Sequence, residues 1–181
     1  AVGASGTIVK WNGNAWSPMT SGVTTTLRAV SAPRDNPSTV FVGGDNGLLL
    51  LWNGTTWGRF GASPPSFQIN AVGANKLASS LYIAGSGGTY LLWDGGSKWN
   101  SPFGYANTKA LSGISFMPGT DEHFVSGASG LLVRYNPSAF VDKYPSQTTR
   151  SSANFNAVWA GAQAIYMVGD GGTIVRRKAG D

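Results

Sequence analysis

The sequence predicts an all-β fold, a β-propeller of about five blades, on three observations. The first is a repeat. Val168-Gly169-Asp170-Gly171-Gly172 is echoed by Val2-Gly3-Ala4-Ser5-Gly6, Val42-Gly43-Gly44-Asp45-Asn46-Gly47, Ala84-Gly85-Ser86-Gly87-Gly88 and Ser126-Gly127-Ala128-Ser129-Gly130. The glycines at 3, 43, 85, 127 and 169 are separated by steps of 40, 42, 42 and 42 residues. Second, the segments between these corners are short apolar runs. A helical repeat of this period needs amphipathic stretches of ten or more residues, and the chain has none. Third, Trp11-Asn12-Gly13, Trp52-Asn53-Gly54 and Trp93-Asp94-Gly95 recur in register with the glycine corners. Asn-Gly and Asp-Gly between apolar runs are strong hairpin signals.

Each full unit reads as four strands, a to d. Strand a covers 27–30, 69–72, 111–114 and 155–158. A small residue holds its third place (Ala29, Ala71, Gly113, Ala157), as the crowded centre of a propeller requires. Strand b covers 40–42, 81–83, 123–125 and 165–168, and it runs into the glycine corner. Glycine reaches the positive φ values that primed turns demand. Strand c covers 7–11, 48–52, 89–93, 131–135 and 173–177. Its run Leu48-Leu49-Leu50-Leu51 is apolar on both faces, which suits a sheet sandwiched between two neighbours. Strand d opens with Trp16, Trp57 or Trp99. The fourth unit has Tyr135-Asn136-Pro137 at the outer corner and no partner tryptophan.

The units fall at about 1–26, 27–68, 69–110, 111–154 and 155–181, within one domain. The first lacks an inner strand and the last an outer one. A five-bladed ring with both incomplete blades at its seam is the expected solution. The alternatives are a place within a longer propeller or closure by a second copy, since an open ring leaves bare strand edges.

Composition narrows the function classes. The 181 residues include 26 Gly and 9 Pro, with 41% hydrophobic, 12% aromatic and 12% charged residues, so disorder is excluded. No apolar run approaches the roughly 20 residues of a membrane span. There is no Cys and a single His, His123, which rules out thiolate and multi-histidine metal sites, and no cofactor is expected. The net charge of +5 is spread without a long basic run, so nucleic acid is not an expected partner. The glycine corners join strands and open no helix, so they are not nucleotide loops. Low charge and abundant Ser, Thr, Asn and Gly suggest a secreted, periplasmic or cell-surface protein.

The motifs Val-Gly-Asp-Gly-Gly-Thr-Ile at 168–174 and Gly-Thr-Ile-Val-Lys-Trp-Asn-Gly-Asn-Ala-Trp at 6–16 resemble the repeats of bacterial BNR/sialidase-like and Ycf48-like propellers. The resemblance covers all five units. It implies a propeller whose members include glycosidases, lectin-like binders and assembly factors. The end of the aspartate-box pattern is kept in Gly13-Asn14-Ala15-Trp16 and Gly54-Thr55-Thr56-Trp57, with Trp11 and Trp52 at the aspartate place.

Catalysis finds little support in the inventory. Glycoside hydrolysis needs two carboxyl groups facing each other across a cleft. Of the 8 acidic residues, Asp45 and Asp170 occupy corresponding corners of different blades. Turn aspartates are also favoured for conformational reasons alone. A sialidase-like mechanism would also need an arginine cluster with a Tyr–Glu pair, and the only Glu is Glu122, expected in a loop.

The expected function is non-enzymatic binding of a glycan or protein, with an assembly scaffold as the alternative and a glycoside hydrolase as the residual one. The expected site is the face shared by the b–c corners and the d–a connectors at 17–26, 58–68, 100–110 and 145–154. Its candidate residues are Asp45, Asn46, Ser86, Ser129 and Asp170 in the corners, and Tyr105 in a connector. Arg28, Asn70 and Asn156 join them from the second place of strand a. Trp159 is added because its counterparts Ser31, Gly73 and Ser115 show that the repeat requires no tryptophan there. The other six tryptophans are expected to pack between blades.

Overall fold

A computed structural model describes residues 1–61, 64–75, 79–96, 98–101, 108–136 and 151–178. The described strands form five antiparallel sheets, each a meander of sequence-adjacent strands. The first pairs β1 (Ile8–Trp11) with β2 (Trp16–Met19), and Val2 bridges to Ile8 beside it. The second runs β3 (Leu27–Ser31), β4 (Val40–Gly44), β5 (Leu49–Trp52), β6 (Trp57–Arg59). The third runs β7 (Ile69–Ala74), β8 (Leu81–Gly85), β9 (Tyr90–Trp93), β10 (Trp99–Asn100). The fourth holds β11 (Leu111–Phe116), β12 (His123–Gly127) and β13 (Leu132–Tyr135). The fifth holds β14 (Phe155–Ala160), β15 (Ala164–Gly169) and β16 (Thr173–Lys178). The inner strands β3, β7, β11 and β14 pack side by side in that order, so the sheets fan about a common axis as propeller blades do. An outer strand of the fourth sheet would fall at 137–150, outside the described residues. No helix among the described residues is long and apolar enough to cross a membrane.

The glycine corners are primed turns, as their composition predicts. In each, two successive residues have positive φ: Ser5 and Gly6, Asn46 and Gly47, Gly87 and Gly88, Ser129 and Gly130, Gly171 and Gly172. The N–H of the following residue closes each turn onto the carbonyl three places back, as Thr7 does on Ala4 at 3.0 Å. The outer corners differ from the Asn-Gly expectation. Asn12 and Asn53 begin four-residue loops in which their side-chain Oδ1 accepts two backbone N–H groups, for Asn12 from Asn14 and Ala15 at 2.9 and 2.8 Å. The asparagine is needed as an acceptor, and only the glycine supplies the positive φ.

The core lies between sheets. Phe41 and Leu49 of the second sheet meet Ile69, Val72, Leu81 and Ile83 of the third. Ala71, Tyr82, Ala84 and Tyr90 of the third meet Leu111, Val125 and Leu131 of the fourth. Phe124 and Leu132 then meet Phe155, Ile165 and Met167 of the fifth. Each fully buried Leu, Ile or Phe contributes about 1.5–3 kcal/mol relative to exposure. Backbones approach closely where sheets converge. A Cβ on Gly73 would lie 2.6 Å from Ile114 Cγ2, and one on Gly113 would lie 2.9 Å from the Val158 nitrogen. At Gly113 that is the crowding expected at the third place of strand a, and Gly73 shows that it extends to the fifth.

The tryptophans do not simply fill blade faces. Trp11 with Trp16 and Trp52 with Trp57 pair across their own outer hairpins, with ring centroids 5.5 and 5.4 Å apart. Trp93 and Trp99 do pack between sheets, both against Phe60 of the preceding one.

Closure within one chain is not met among the described residues. Ile174 and Trp159 on the outward face of the last sheet are 72% and 60% exposed. Val30, on the second sheet beside the two-stranded first one, is 50% exposed. The sheets form an arc with a bare apolar face at each end.

Candidate functional site

One irregularity organises the inner end of each sheet that has an inner strand. The pairing of strand a with strand b slips by one residue between Leu27 and Ala29, Ile69 and Ala71, Leu111 and Gly113, and Phe155 and Ala157. The skipped residues are Arg28, Asn70, Ser112 and Asn156. A β-bulge releases its extra residue from the ladder and re-aims its side chain. Here the released side chains serve the scaffold. Asn70 Nδ2 donates to the Leu111 carbonyl at 2.8 Å, and Ser112 Oγ donates to the Phe155 carbonyl, each joining one blade to the next. Arg28 instead forms a two-pronged pair with Asp45, Nε to Oδ1 at 2.5 Å and Nη2 to Oδ2 at 3.2 Å. Asn156 Nδ2 donates to Asp170 Oδ1 at 3.0 Å.

The b–c turns and the d–a connectors do share one face. The first N–H of four of the turns donates to a connector carbonyl: Asp45 to Thr26, Ser86 to Gln68, Ala128 to Ala110 and Asp170 to Asn154, at 2.9–3.1 Å. Most candidates on that face are committed locally. Ser86 Oγ accepts the Gln68 N–H at 3.2 Å, and the Ser129 N–H donates to Asn154 Oδ1 at 3.0 Å. Asn46 is the first of the two left-handed residues of its turn, with φ 57°. Tyr105 lies outside the described residues. Trp159 is elsewhere, on the bare face of the last sheet, with its ring 6.0 Å from that of Tyr166.

Electrostatics weigh against the two turn aspartates as an acid–base pair. Arg28 holds the Asp45 carboxyl below the ordinary carboxylate range. The amides of Asn156 and Asn154 do the same for Asp170, the latter donating at 2.9 Å. Acid catalysis of glycoside cleavage needs one carboxyl raised, and both are lowered. His123 is fully buried among Tyr82, Phe116 and Tyr135, with centroids at 4.4, 4.6 and 4.8 Å. Burial pushes its pKa down to about 4. In the neutral ring, Nδ1–H donates to the Asp121 carbonyl at 3.1 Å and Nε2 accepts from the Tyr90 hydroxyl. It is a structural histidine that joins the third sheet to the fourth. Glu122 takes a two-pronged pair from Arg134, so it also belongs to the scaffold.

The opposite end of the axis holds a cleft of about 410 Å³. Ser31, Arg34 and Asp35 line it from the end of β3 and its loop, and Gly73 and Ala74 from β7. Ile114, Ser115, Phe116, Met117 and Thr120 complete it from β11 and the turn that follows. An apolar wall with charge of both signs at the rim can take a segment that is partly apolar and partly polar. Attention to the b–c face passes over this end. The available signal was the repeated fifth place of strand a, Ser31, Gly73 and Ser115, whose small side chains leave the cleft open.

No protein family and no curated protein matches the sequence. Solved structures do match the fold. The WD40 repeats of RRP9 superpose with a TM-score of 0.67 at 13% identity over 99% of this chain and 56% of that one. U3-55K gives 0.64 at 14% over 99% and 54%. YCF48 bound to a D1 peptide gives 0.65 at 16% over 98% and 60%. The fold is a β-propeller. The chain spans just over half the length of these structures. The Ycf48-like side of the expected resemblance has a structural counterpart, and the BNR/sialidase-like side has no sequence match behind it.

Proposed function

We propose that this propeller is a non-enzymatic protein-binding scaffold that takes an extended peptide segment in the axial cleft. The observation that carries the reading is the cleft itself, about 410 Å³ walled by Ile114, Phe116 and Met117 and rimmed by Ser31, Arg34 and Thr120. Three blades contribute to it, so its shape is set by the rigid part of the fold. Likeness to YCF48, solved with a D1 peptide bound, supports a peptide as the ligand class. Glycan recognition lacks comparable support. Trp11–Trp16 and Trp52–Trp57 are tilted pairs 47° apart, closed on each other, and they offer no shared flat platform for a sugar ring. The lowered carboxyls of Asp45 and Asp170 support binding over hydrolysis.

Selection from a random dodecapeptide phage library tests the reading. Enriched peptides are expected to bind wild type and to lose affinity about thirtyfold in Phe116→Ala, as for a central contact aromatic. Asp170→Ala, at the other end of the axis, leaves binding unchanged. Absence of enrichment over an unrelated immobilised protein, or hits confined to a glycan array, overturns it.

A further inference from the structure

We propose that the outer corners of the first two sheets are sites of spontaneous covalent modification. Asn12 and Asn53 lose their side-chain amides to the glycine that follows, while Asn46, in the same Asn-Gly dipeptide, is protected. The sequence presents the three pairs alike, and the structure separates them. The reaction needs the glycine nitrogen to reach the asparagine Cγ. It is favoured by an N–H held in no other bond, by open space around the glycine and by donors on the side-chain carbonyl.

At the two outer corners these conditions hold together. Asn12, Gly13, Asn53 and Gly54 are all exposed. The N–H groups of Gly13 and Gly54 have no backbone acceptor among the described residues. A Cβ on Gly13 would meet nothing within 4 Å, and one on Gly54 only the Ser38 carbonyl at 3.9 Å. Each asparagine Oδ1 accepts two backbone N–H groups, for Asn53 those of Thr55 and Thr56, both at 2.9 Å. The bond to the second residue along folds the side chain back over the glycine and brings Cγ beside its nitrogen. Both donors then sit where negative charge develops on Oδ1 during attack. The inner corner reverses each condition. Gly47 is buried, its N–H donates to the Phe67 carbonyl at 2.6 Å, and a Cβ there would lie 2.6 Å from the Pro65 oxygen.

The step balances with water as its only co-reactant. The glycine nitrogen bonds to Cγ and gives up its proton through water. The Cγ–Nδ2 bond breaks, and the amide takes up that proton and leaves as ammonia, so a cyclic imide remains. Water then opens either imide carbonyl, which restores the chain as aspartate or reroutes it through the side chain as isoaspartate. The third sheet shows that this place accepts a carboxylate. Asp94 stands there, and its Oδ1 accepts the Gly96 N–H at 3.2 Å. Isoaspartate instead lengthens the main chain between Trp11 and Trp16 or between Trp52 and Trp57, ring pairs that the corners hold 5.5 and 5.4 Å apart.

Peptide mapping by mass spectrometry, after weeks at mildly alkaline pH, tests this on the 181-residue chain. In the folded protein Asn12 and Asn53 are expected to convert about tenfold faster than Asn46, the factor that one net hydrogen bond supplies. In the same chain held unfolded in guanidinium chloride the three are expected to convert at similar rates, because the protection belongs to the fold. Each event adds one negative charge, so loss of both amides takes the net charge from +5 to +3, which isoelectric focusing follows. Conversion of Asn46 as fast as the other two in the folded chain overturns the proposal. So does finding Asn12 and Asn53 intact in the folded chain once the unfolded one has reacted.

Discussion

Asn70 reaches from the bulge of β7 to donate to the carbonyl of Leu111, the first residue of β11, at 2.8 Å. One step further round, Ser112 makes the same connection to Phe155. Sheets held together by apolar packing alone could slide, and these bonds fix the inner strands in register. At the two ends of the series the bulge residue turns back onto its own sheet, Arg28 to Asp45 and Asn156 to Asp170.

Asn70→Ala removes the donor from a partly buried carbonyl and is expected to cost about 1–3 kcal/mol. Urea unfolding checks this. A lower midpoint with an unchanged m-value is the expected outcome, because the folded arc keeps its surface.

His123 makes stability depend on pH. Its folded pKa is about 4 against an ordinary 6.5, so the unfolded chain binds the proton first as pH falls. Stability is therefore full above pH 6.5 and declines as pH falls towards 4, by about 3 kcal/mol in total. In His123→Phe this dependence disappears, whatever the absolute stability. Thermal unfolding of both proteins across that window checks it.

Asp170 titrates below the ordinary 3.8 because of Asn156 first and Asn154 second. The lowered value contributes stability above 3.8 that is lost as pH falls through the folded pKa. Asn156→Ala is expected to move the carboxyl back up. Carboxyl-carbon NMR titration reads the shift, and Arg28→Ala should do the same for Asp45.

Gly73→Ala places a methyl 2.6 Å from Ile114 Cγ2 and 2.9 Å from the Phe116 ring. Overpacking between the third and fourth sheets is expected to cost about 1–3 kcal/mol. Gly58→Ala is the control, since its added carbon meets nothing within 4 Å. Its effect should stay within about 0.5 kcal/mol, and denaturant midpoints for the pair decide the comparison.

Much of the fold was legible because its signals are local. The glycine period placed every corner, and the need for positive φ at Gly47, Gly88 and Gly172 follows from the turn itself. The unbroken apolar run Leu48-Leu49-Leu50-Leu51 read as burial on both faces because a blade has neighbours on both sides. The site was less legible. Arg28, Asn70 and Asn156 looked like channel-mouth ligands, yet a bulge turns each towards a scaffold partner, and no residue type announces a bulge. The cleft lined by Ser31, Ser115 and Phe116 draws on three sheets, and its walls are more than forty residues apart in sequence.

By itself, then, the sequence determined the strands, their order within each sheet and the chemistry of the corners, because each is settled within a few neighbouring residues. The tertiary structure alone decided where the bulged side chains point, why His123 is neutral and which faces stay bare. Those depend on how one sheet sits against the next. That packing leaves Trp159 and Val30 uncovered at opposite ends of one arc.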